Sequence, residues 1–143
     1  MKTAAQLIAD KKHKEVISIA PNRPVIDALI ILAEYKIGAL LVMDKDRMVG
    51  IFSERDYARE VVLKGKSSKV TTIEEVMTKN VLVGHGKDTF EKAMTVMTEN
   101  HIRHLPIMDG QNVIGMLSLG DVAKEMIMYQ RNLIKELEGY IKQ

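Results

Sequence analysis

The sequence contains no cysteine. Disulfides, thiolate nucleophiles and cysteine-based metal sites are therefore excluded together. No apolar run approaches the ~20 residues of a membrane-spanning helix, and the opening "MKTAAQLIADKK" lacks a signal peptide's long apolar core. The expectation is a cytoplasmic protein with no membrane contact. Neither sign of charge dominates: 21 Lys and Arg face 19 Asp and Glu, for a net charge of +2. The basic clusters "KKHK" (11–14) and "KGKSSK" (64–69) are short and read as solvated loops. A nucleic-acid-binding accessory is accordingly the weakest functional reading. Catalytic signatures are missing too. There is no Gly-rich P-loop, no G-x-S-x-G, no H-E-x-x-H and no nucleophile–base–orienter set, so an enzyme is not expected. His101 and His104 of "HIRH" stand at the entry to a strand, where their side chains need not converge. No third ligand is evident, and no metal is expected.

What is present is ordinary in composition and unusual in pattern. Of 143 residues, 46% are hydrophobic and 28% charged, as in a soluble globular protein of about one domain's length. The ten methionines read as core filling. "GIFSERD" (50–56) returns as "GMLSLGD" (115–121), and a shift of 65 residues aligns 16–56 with 81–121 without a gap. Identities fall at Val16/Val81, Ala28/Ala93, Glu34/Glu99, Ile37/Ile102, Leu40/Leu105, Met43/Met108, Asp44/Asp109, Gly50/Gly115, Ser53/Ser118 and Asp56/Asp121. The chain is a duplication.

Each copy reads in one order. "VISIA" (16–20) alternates like a strand; "RPVIDALIILAEYK" has helical apolar spacing, with Pro24 suited to a first turn. "GALLVMD" and "MVGIFS" flank a "KDR" turn as a hairpin, and "ERDYAREVVLKG" is a helix ending at Gly65. The second copy gives "VLV", "DTFEKAMTVMTEN", "RHLPIMD", a "GQN" turn, "VIGMLS" and a long final helix. The fold class expected is α/β (α+β), with two strand–helix–strand–strand–helix repeats. One repeat alone would struggle to cover its sheet; two can bury their apolar faces together.

The repeated phrase falls where a strand ends and a helix starts. Ser-x-x-Asp there is close to a capping box, with Ser53 as N-cap and Asp56 three residues on. The same site attracts phosphate, because a helix start presents unpaired N–H groups. A hydroxyl and a carboxylate could then serve phosphate and ribose. The two readings coexist. Glu54 and Lys36 read as solvated surface residues.

The repeat order, "YKIGALLVMD" and "NHIRHLPIMD", and the closing "GIFSERD" and "GMLSLGD" together resemble a tandem pair of CBS (cystathionine-β-synthase) domains over nearly the whole chain. It looks like a small stand-alone two-repeat protein. The resemblance implies a pseudo-twofold module with two clefts that commonly bind adenine-containing ligands. The motif Asp would hold ribose hydroxyls and the motif Ser would help hold phosphate. One cleft would use Ser53, Arg55 and Asp56, faced by Val83, Arg103 and His104. The other would use Ser118 and Asp121, faced by Ser18, Gly38, Ala39 and Leu40. The copies differ: Gly38 aligns with Arg103, Ala39 with His104, and Arg55 with Gly120. Arginine offers a charged fork for phosphate, so phosphate is expected in the first cleft and adenosine-like or weak occupancy in the second. The second copy also lacks a proline matching Pro21 and has Val83 in place of Ser18.

The final helix carries Met126, Tyr129, Leu133, Leu137 and Tyr140 as an a/d-like stripe that Val122 extends backwards. It either packs on the chain's own body or the N-terminal helix, where Thr3 to Gln6 suit a capping box, or meets another copy. The resemblance implies disc-like homodimers. The organisation read from sequence is an N-terminal helical segment (1–15), a first repeat (16–66), a second repeat (67–130) and a C-terminal helix extension (131–143). The functional expectation is a regulatory module sensing AMP, ATP or NAD for an unknown regulated protein, with no required cofactor. The alternative is an interaction scaffold with non-functional clefts.

Overall fold

The computed structural model describes residues 1–11 and 16–141. Its elements, in chain order, are α1 (Ala4–Asp10), β1 (Ser18–Ile19), α2 (Val25–Tyr35), β2 (Ala39–Asp44) and β3 (Arg47–Ser53). A short α3 (Glu54–Asp56) continues as a π-helical stretch, Tyr57–Val62. Then come α4 (Ile73–Val76), β4 (Gly84–His85), α5 (Phe90–Glu99), β5 (His104–Asp109), β6 (Asn112–Ser118) and α6 (Leu119–Ile141). The fold is mixed α/β with two three-stranded sheets, ordered β1-β2-β3 and β4-β5-β6. In each, the first strand is parallel to the second, which forms an antiparallel hairpin with the third.

The strand–helix–strand–strand–helix order agrees with the sequence reading, with three differences. β4 lies at Gly84–His85, one step after "VLV", because the parallel partners are Gly84 with Ile107 and His85 with Met108. The helix after β3 is largely π, with Leu63 N–H donating to the Ala58 carbonyl five residues back. The counterpart after β6 is regular α-helix. The third difference is α4, which the sequence reading passed over. Its N-cap Thr72 and Glu75 form a reciprocal capping box.

The middle strands carry continuous apolar runs because both their faces are covered. Ala39, Leu40, Leu41 and Val42 are all buried, as are Leu105, Pro106 and Ile107. Leu40, Val42 and Phe52 pack with Val25, Ala28 and Leu32 of α2 and with Ile73 and Val76 of α4. Leu105, Ile107 and Leu117 pack with Phe90, Ala93 and Met97 of α5 and with Ala4, Leu7 and Ile8 of α1. Each of the Val, Leu, Ile, Phe and Met side chains among them contributes roughly 1.5–3 kcal/mol by leaving water.

Two compact units result, and they do not follow chain order. One comprises Met1–Lys14 with Val83–Gln143, the other Glu15–Leu82. The helix leading into each repeat thus packs on the body of the other: α1 with the second repeat, α4 with the first. Residues 67–82, grouped by sequence with the second repeat, pack with the first. The backbone bonds are duplicated along with this exchange. Ala4 N–H donates to Asp88 O and Ala5 N–H to Gly86 O, while Phe90 N–H donates to Lys2 O. In the other unit Ile73 N–H donates to Arg23 O and Glu74 N–H to Pro21 O, while Val25 N–H donates to Thr71 O.

The glycine that begins the repeated phrase makes room for this crossing segment. A Cβ on Gly50 would lie 2.7 Å from Met77 Sδ and 2.9 Å from the Thr78 carbonyl oxygen. One on Gly115 would lie 2.8 Å from two carbons of the Ile8 side chain. Gly50→Ala meets backbone, which cannot swing aside, whereas Gly115→Ala meets a side chain that can. In thermal or urea unfolding, Gly50→Ala is expected to cost about 1–3 kcal/mol, and Gly115→Ala distinctly less; equal effects would refute the packing account.

Backbone irregularities recur at the 65-residue shift even where residues differ. Lys36 and His101 both have φ of 54°, and Lys45 (57°) matches Gly110 (61°). Both hairpins shift register after matching residues, Val42 and Ile107. Lys45 holds a left-handed conformation that its counterpart meets with glycine. Lys45→Gly is therefore expected to raise stability by up to about 1 kcal/mol, the relieved strain exceeding the added freedom of the unfolded chain. A lower melting temperature would contradict this.

Candidate functional site

Each repeated phrase ends a strand and caps the next helix. The Ser53 side-chain oxygen accepts from Asp56 N–H at 3.2 Å, and Asp56 Oδ2 accepts from Ser53 N–H at 2.9 Å. The Ser53 hydroxyl also donates to Asp56 Oδ2 at 3.0 Å. In the second copy Asp121 N–H donates to Ser118 Oγ at 3.1 Å, and Ser118 N–H donates to Asp121 Oδ2 at 2.8 Å. The capping reading of both phrases is thus realised.

The carboxylates differ in their remaining partners. Asp56 Oδ1 accepts from the Thr78 hydroxyl at 3.1 Å, so every donor to it described here is neutral. Asp121 Oδ2 instead pairs with Lys11 Nζ at 2.9 Å, and that ammonium also donates to the Met116 carbonyl at 2.9 Å. Lys11 was grouped by sequence with a solvated basic cluster. The structure corrects that placement for Lys11; Lys12, His13 and Lys14 lie outside the described residues. Thr78 and Lys11 are the partners that sequence reasoning missed. Both follow the helices α4 and α1, whose shared Thr-x-x-Glu/Gln opening was the available signal.

The other expected site residues fall as follows. Gly38 precedes β2 and its carbonyl accepts from Glu54 N–H at 3.1 Å. Ala39 pairs with Ser53 and Leu40 with Phe52 across the hairpin. Both are fully buried. Ser18 is exposed on β1 and Arg55 is exposed on α3. Around the second phrase, the Arg103 carbonyl accepts from Leu119 N–H at 2.8 Å, and His104 pairs with Ser118. The Arg103 side chain is exposed, and Val83 immediately precedes β4. Each unit therefore brings its own phrase beside the start of its own middle strand. Gly38, Ala39 and Leu40 lie beside Ser53, whereas Arg103 and His104 lie beside Ser118. Among the described residues no group of three or more His, Asp or Glu could hold a metal ion. No helix there is long and apolar enough to cross a membrane. Lys64 of the other basic cluster pairs with Glu60.

Burial, the largest single influence on Asp121, pushes its carboxyl up. The Ser118 N–H and the Lys11 ammonium outweigh that and hold it below its ordinary value. The folded state accordingly binds fewer protons here than the unfolded chain. This contribution is present above the unfolded carboxylate value of about 3.9 and is lost as pH falls through the lower folded value. The pair is partly exposed, which limits its worth to about 1 kcal/mol. Asp121→Asn should therefore melt below the parent at pH 7, and the gap should narrow as pH falls from 5 to 3. A constant gap would mean that the charge of Asp121 contributes nothing.

Two small α/β units, each built from a parallel strand, a hairpin and a helix capped by Ser-x-x-Asp, define a tandem-repeat module. A family model for the CBS domain matches residues 8–63 and 73–128, and the chain belongs to the CBS-domain family. A solved protein with CBS domains from Burkholderia ambifaria, a candidate signal-transduction protein, is 43% identical with a TM-score of 0.85. That match covers 89% of this chain and 95% of the other. The mitochondrial CBS domain-containing protein CBSX3 of Arabidopsis thaliana is 36% identical over 123 residues. That match covers 82% of this chain but 60% of the plant protein, so the chain spans less than two thirds of that relative. A CBS domain pair solved with 5′-methylthioadenosine and S-adenosyl-L-methionine shares the fold, with a TM-score of 0.76 at 24% identity. There 88% of this chain and 96% of the other are covered.

Proposed function

We propose that this chain is a non-enzymatic regulatory module that binds an adenine nucleotide (AMP, ATP or NAD) through the first of its two Ser-x-x-Asp phrases. The observation that carries the reading is the contrast between the two carboxylates. Asp56 is held by neutral donors, and its charge remains to accept hydrogen bonds from a ribose diol. Asp121 already spends its charge on Lys11. Arg55 follows Ser53 by two residues, and a guanidinium beside a hydroxyl suits phosphate. Arg103 and His104, with Val83 toward the adenine, complete the set that the family resemblance assigns to this phrase. Ser118 and Asp121, with Ser18, Gly38, Ala39 and Leu40, form the weaker, adenosine-like set. The complex of a fold relative with two adenosine compounds supports the ligand class. Binding would act by changing the module's shape or its affinity for a regulated protein, with the cytoplasm as the place of action.

Calorimetry and melting with AMP, ATP, NAD and S-adenosylmethionine test the reading. A ligand held only by the folded state at 100 times its dissociation constant adds roughly 2.7 kcal/mol. Asp56→Asn keeps the size of the cap but weakens the charge-assisted bonds, so affinity should fall about tenfold or more. Arg103→Ala should weaken ATP and AMP far more than adenosine, and Asp121→Asn should leave the first phrase's ligand unaffected. The nucleotide should be recovered intact after incubation. Absence of binding by all four compounds would overturn the sensing role in favour of a scaffold, and turnover that tracks folded protein would overturn the non-enzymatic part.

A further inference from the structure

Lys11 does with one side chain what backbone and hydroxyl do separately in the other unit. At the 65-residue shift Met116 of β6 matches Ile51 of β3. Ile51 is bridged to its crossing segment through backbone: Ile51 N–H donates to Thr78 O at 3.0 Å, and Thr78 N–H donates to Ile51 O at 2.9 Å. The Thr78 hydroxyl then reaches Asp56 without carrying that load. On β6 the Met116 carbonyl accepts instead from the Lys11 ammonium at 2.9 Å, and the same Nζ donates to Asp121 Oδ2 at 2.9 Å. One ammonium thus fastens the end of α1 to the strand edge and neutralises the carboxylate of the second phrase.

That double contact has a chemical consequence. Asp121 Oδ2 accepts from Ser118 N–H at 2.8 Å as well as from Lys11, so the oxygen that caps α6 also carries the ion pair. Hydrogen bonds to an ionised acceptor are roughly twice as strong as neutral ones. A ribose diol gains this only from a carboxylate whose charge is not already matched. Asp56, whose described donors are neutral, offers it; Asp121 does not. The pair is nevertheless within reach of solvent, with the Lys11 and Asp121 side chains 35% and 31% exposed. Nor does α1 depend on it alone. Ala4, Leu7 and Ile8 lie in the core, and Ala4 and Ala5 donate to the Asp88 and Gly86 carbonyls. The ammonium can therefore leave Asp121 while the helix stays seated.

We propose that Lys11 is a built-in competitor for the second phrase: its ammonium occupies Asp121 and holds off a nucleoside until it is displaced or neutralised. This rests on the adenine-ligand reading above and names what restrains the second phrase. A neutral nucleoside must break the pair and offers the ammonium no charge in return, so its affinity there is lowered by the strength of the pair.

Calorimetry of adenosine binding to the full chain and its variants tests this. The parent is expected to show a tighter site at the first phrase and a weaker one at the second. Lys11→Met should tighten the weaker site about fivefold, the worth of a partly exposed ion pair, and leave the tighter one unchanged. Lys11→Arg keeps a cation and should hold the weaker site near its parent affinity. Adding Asp121→Asn to Lys11→Met should remove the gain. Lys2→Met is the structural control, because Lys2 ties α1 through Asp10 at 2.9 Å and Glu125 at 3.9 Å without touching Asp121. It should leave both sites as in the parent, and melting curves verify the fold of each variant. A weaker site that Lys11→Met neither reveals nor tightens, or that Lys2→Met tightens equally, would overturn the competitor role while the tighter site upholds the ligand reading. Binding that appears only in Lys11→Met would uphold the competitor and overturn the reading of the first phrase. No binding by any variant would overturn both.

Discussion

The rest of the structure depends on the close approach of a crossing segment to a glycine in the last strand of each sheet. A Cβ on Gly50 would meet Met77 and the Thr78 backbone, and one on Gly115 would meet the Ile8 side chain, so each glycine lies directly against its crossing segment. That contact seats α4 and α1 on their sheets, and their apolar faces complete the two cores. It also fixes where the chain runs next: Thr78 reaches Asp56, and Lys11 reaches Asp121. The carboxylate that would hold a ligand is thus positioned twice, once by its own serine through the cap and once by a segment distant in sequence. A fixed first turn with two independent supports is what preorganised binding requires.

Much of this was legible in the residues. Pattern reading places α2, β2, β3, α5, β5, β6 and α6, because runs such as "GALLVMD" and "RHLPIMD" leave little choice once both faces of a strand are buried. The capping serines and aspartates were legible for a local reason: their bonds span three residues. The exchange of α1 and α4 was not, because it rests on long-range packing and on a shift of 69 residues rather than 65. Thr3 corresponds to Thr72 only after a gap of four, so an ungapped alignment that begins at Val16 cannot show it. The π-helical stretch was also hidden. Its hydrogen bonds differ from those after β6, although "ERDYAREVV" has an acceptable α-helical pattern.

The duplication preserves backbone more faithfully than chemistry. Left-handed residues and register shifts recur at equivalent positions although lysine replaces glycine and histidine replaces lysine. Topology tolerates few alternatives there, so the chain accepts about 1–2 kcal/mol of strain at a non-glycine residue rather than alter the hairpin. Side chains facing solvent carry no such constraint. Arg103 opposite Gly38, Arg55 opposite Gly120 and Lys11 opposite Asn80 have diverged into two surfaces of different charge. One backbone thereby carries two Ser-x-x-Asp phrases in surroundings of different charge.

Asp121 joins that divergence to the long helix. It lies in the first turn of α6, three residues after Ser118 and one residue before the fully buried Val122. A ligand that drew Lys11 away from Asp121 would loosen the anchor of α1 and change the charge at the start of α6 in one step. The magnitude limits what this could achieve. A partly exposed ion pair is worth about 1 kcal/mol, which shifts a two-state balance only about fivefold, whereas allosteric couplings run to 1–3 kcal/mol. Exchange at Asp121 alone reaches the lower edge of that range. The α1–sheet packing around Gly115, with Leu7 and Ile8 in the core, is worth several times more. For the second phrase to regulate strongly, its ligand would have to move the helix and not only its terminal lysine.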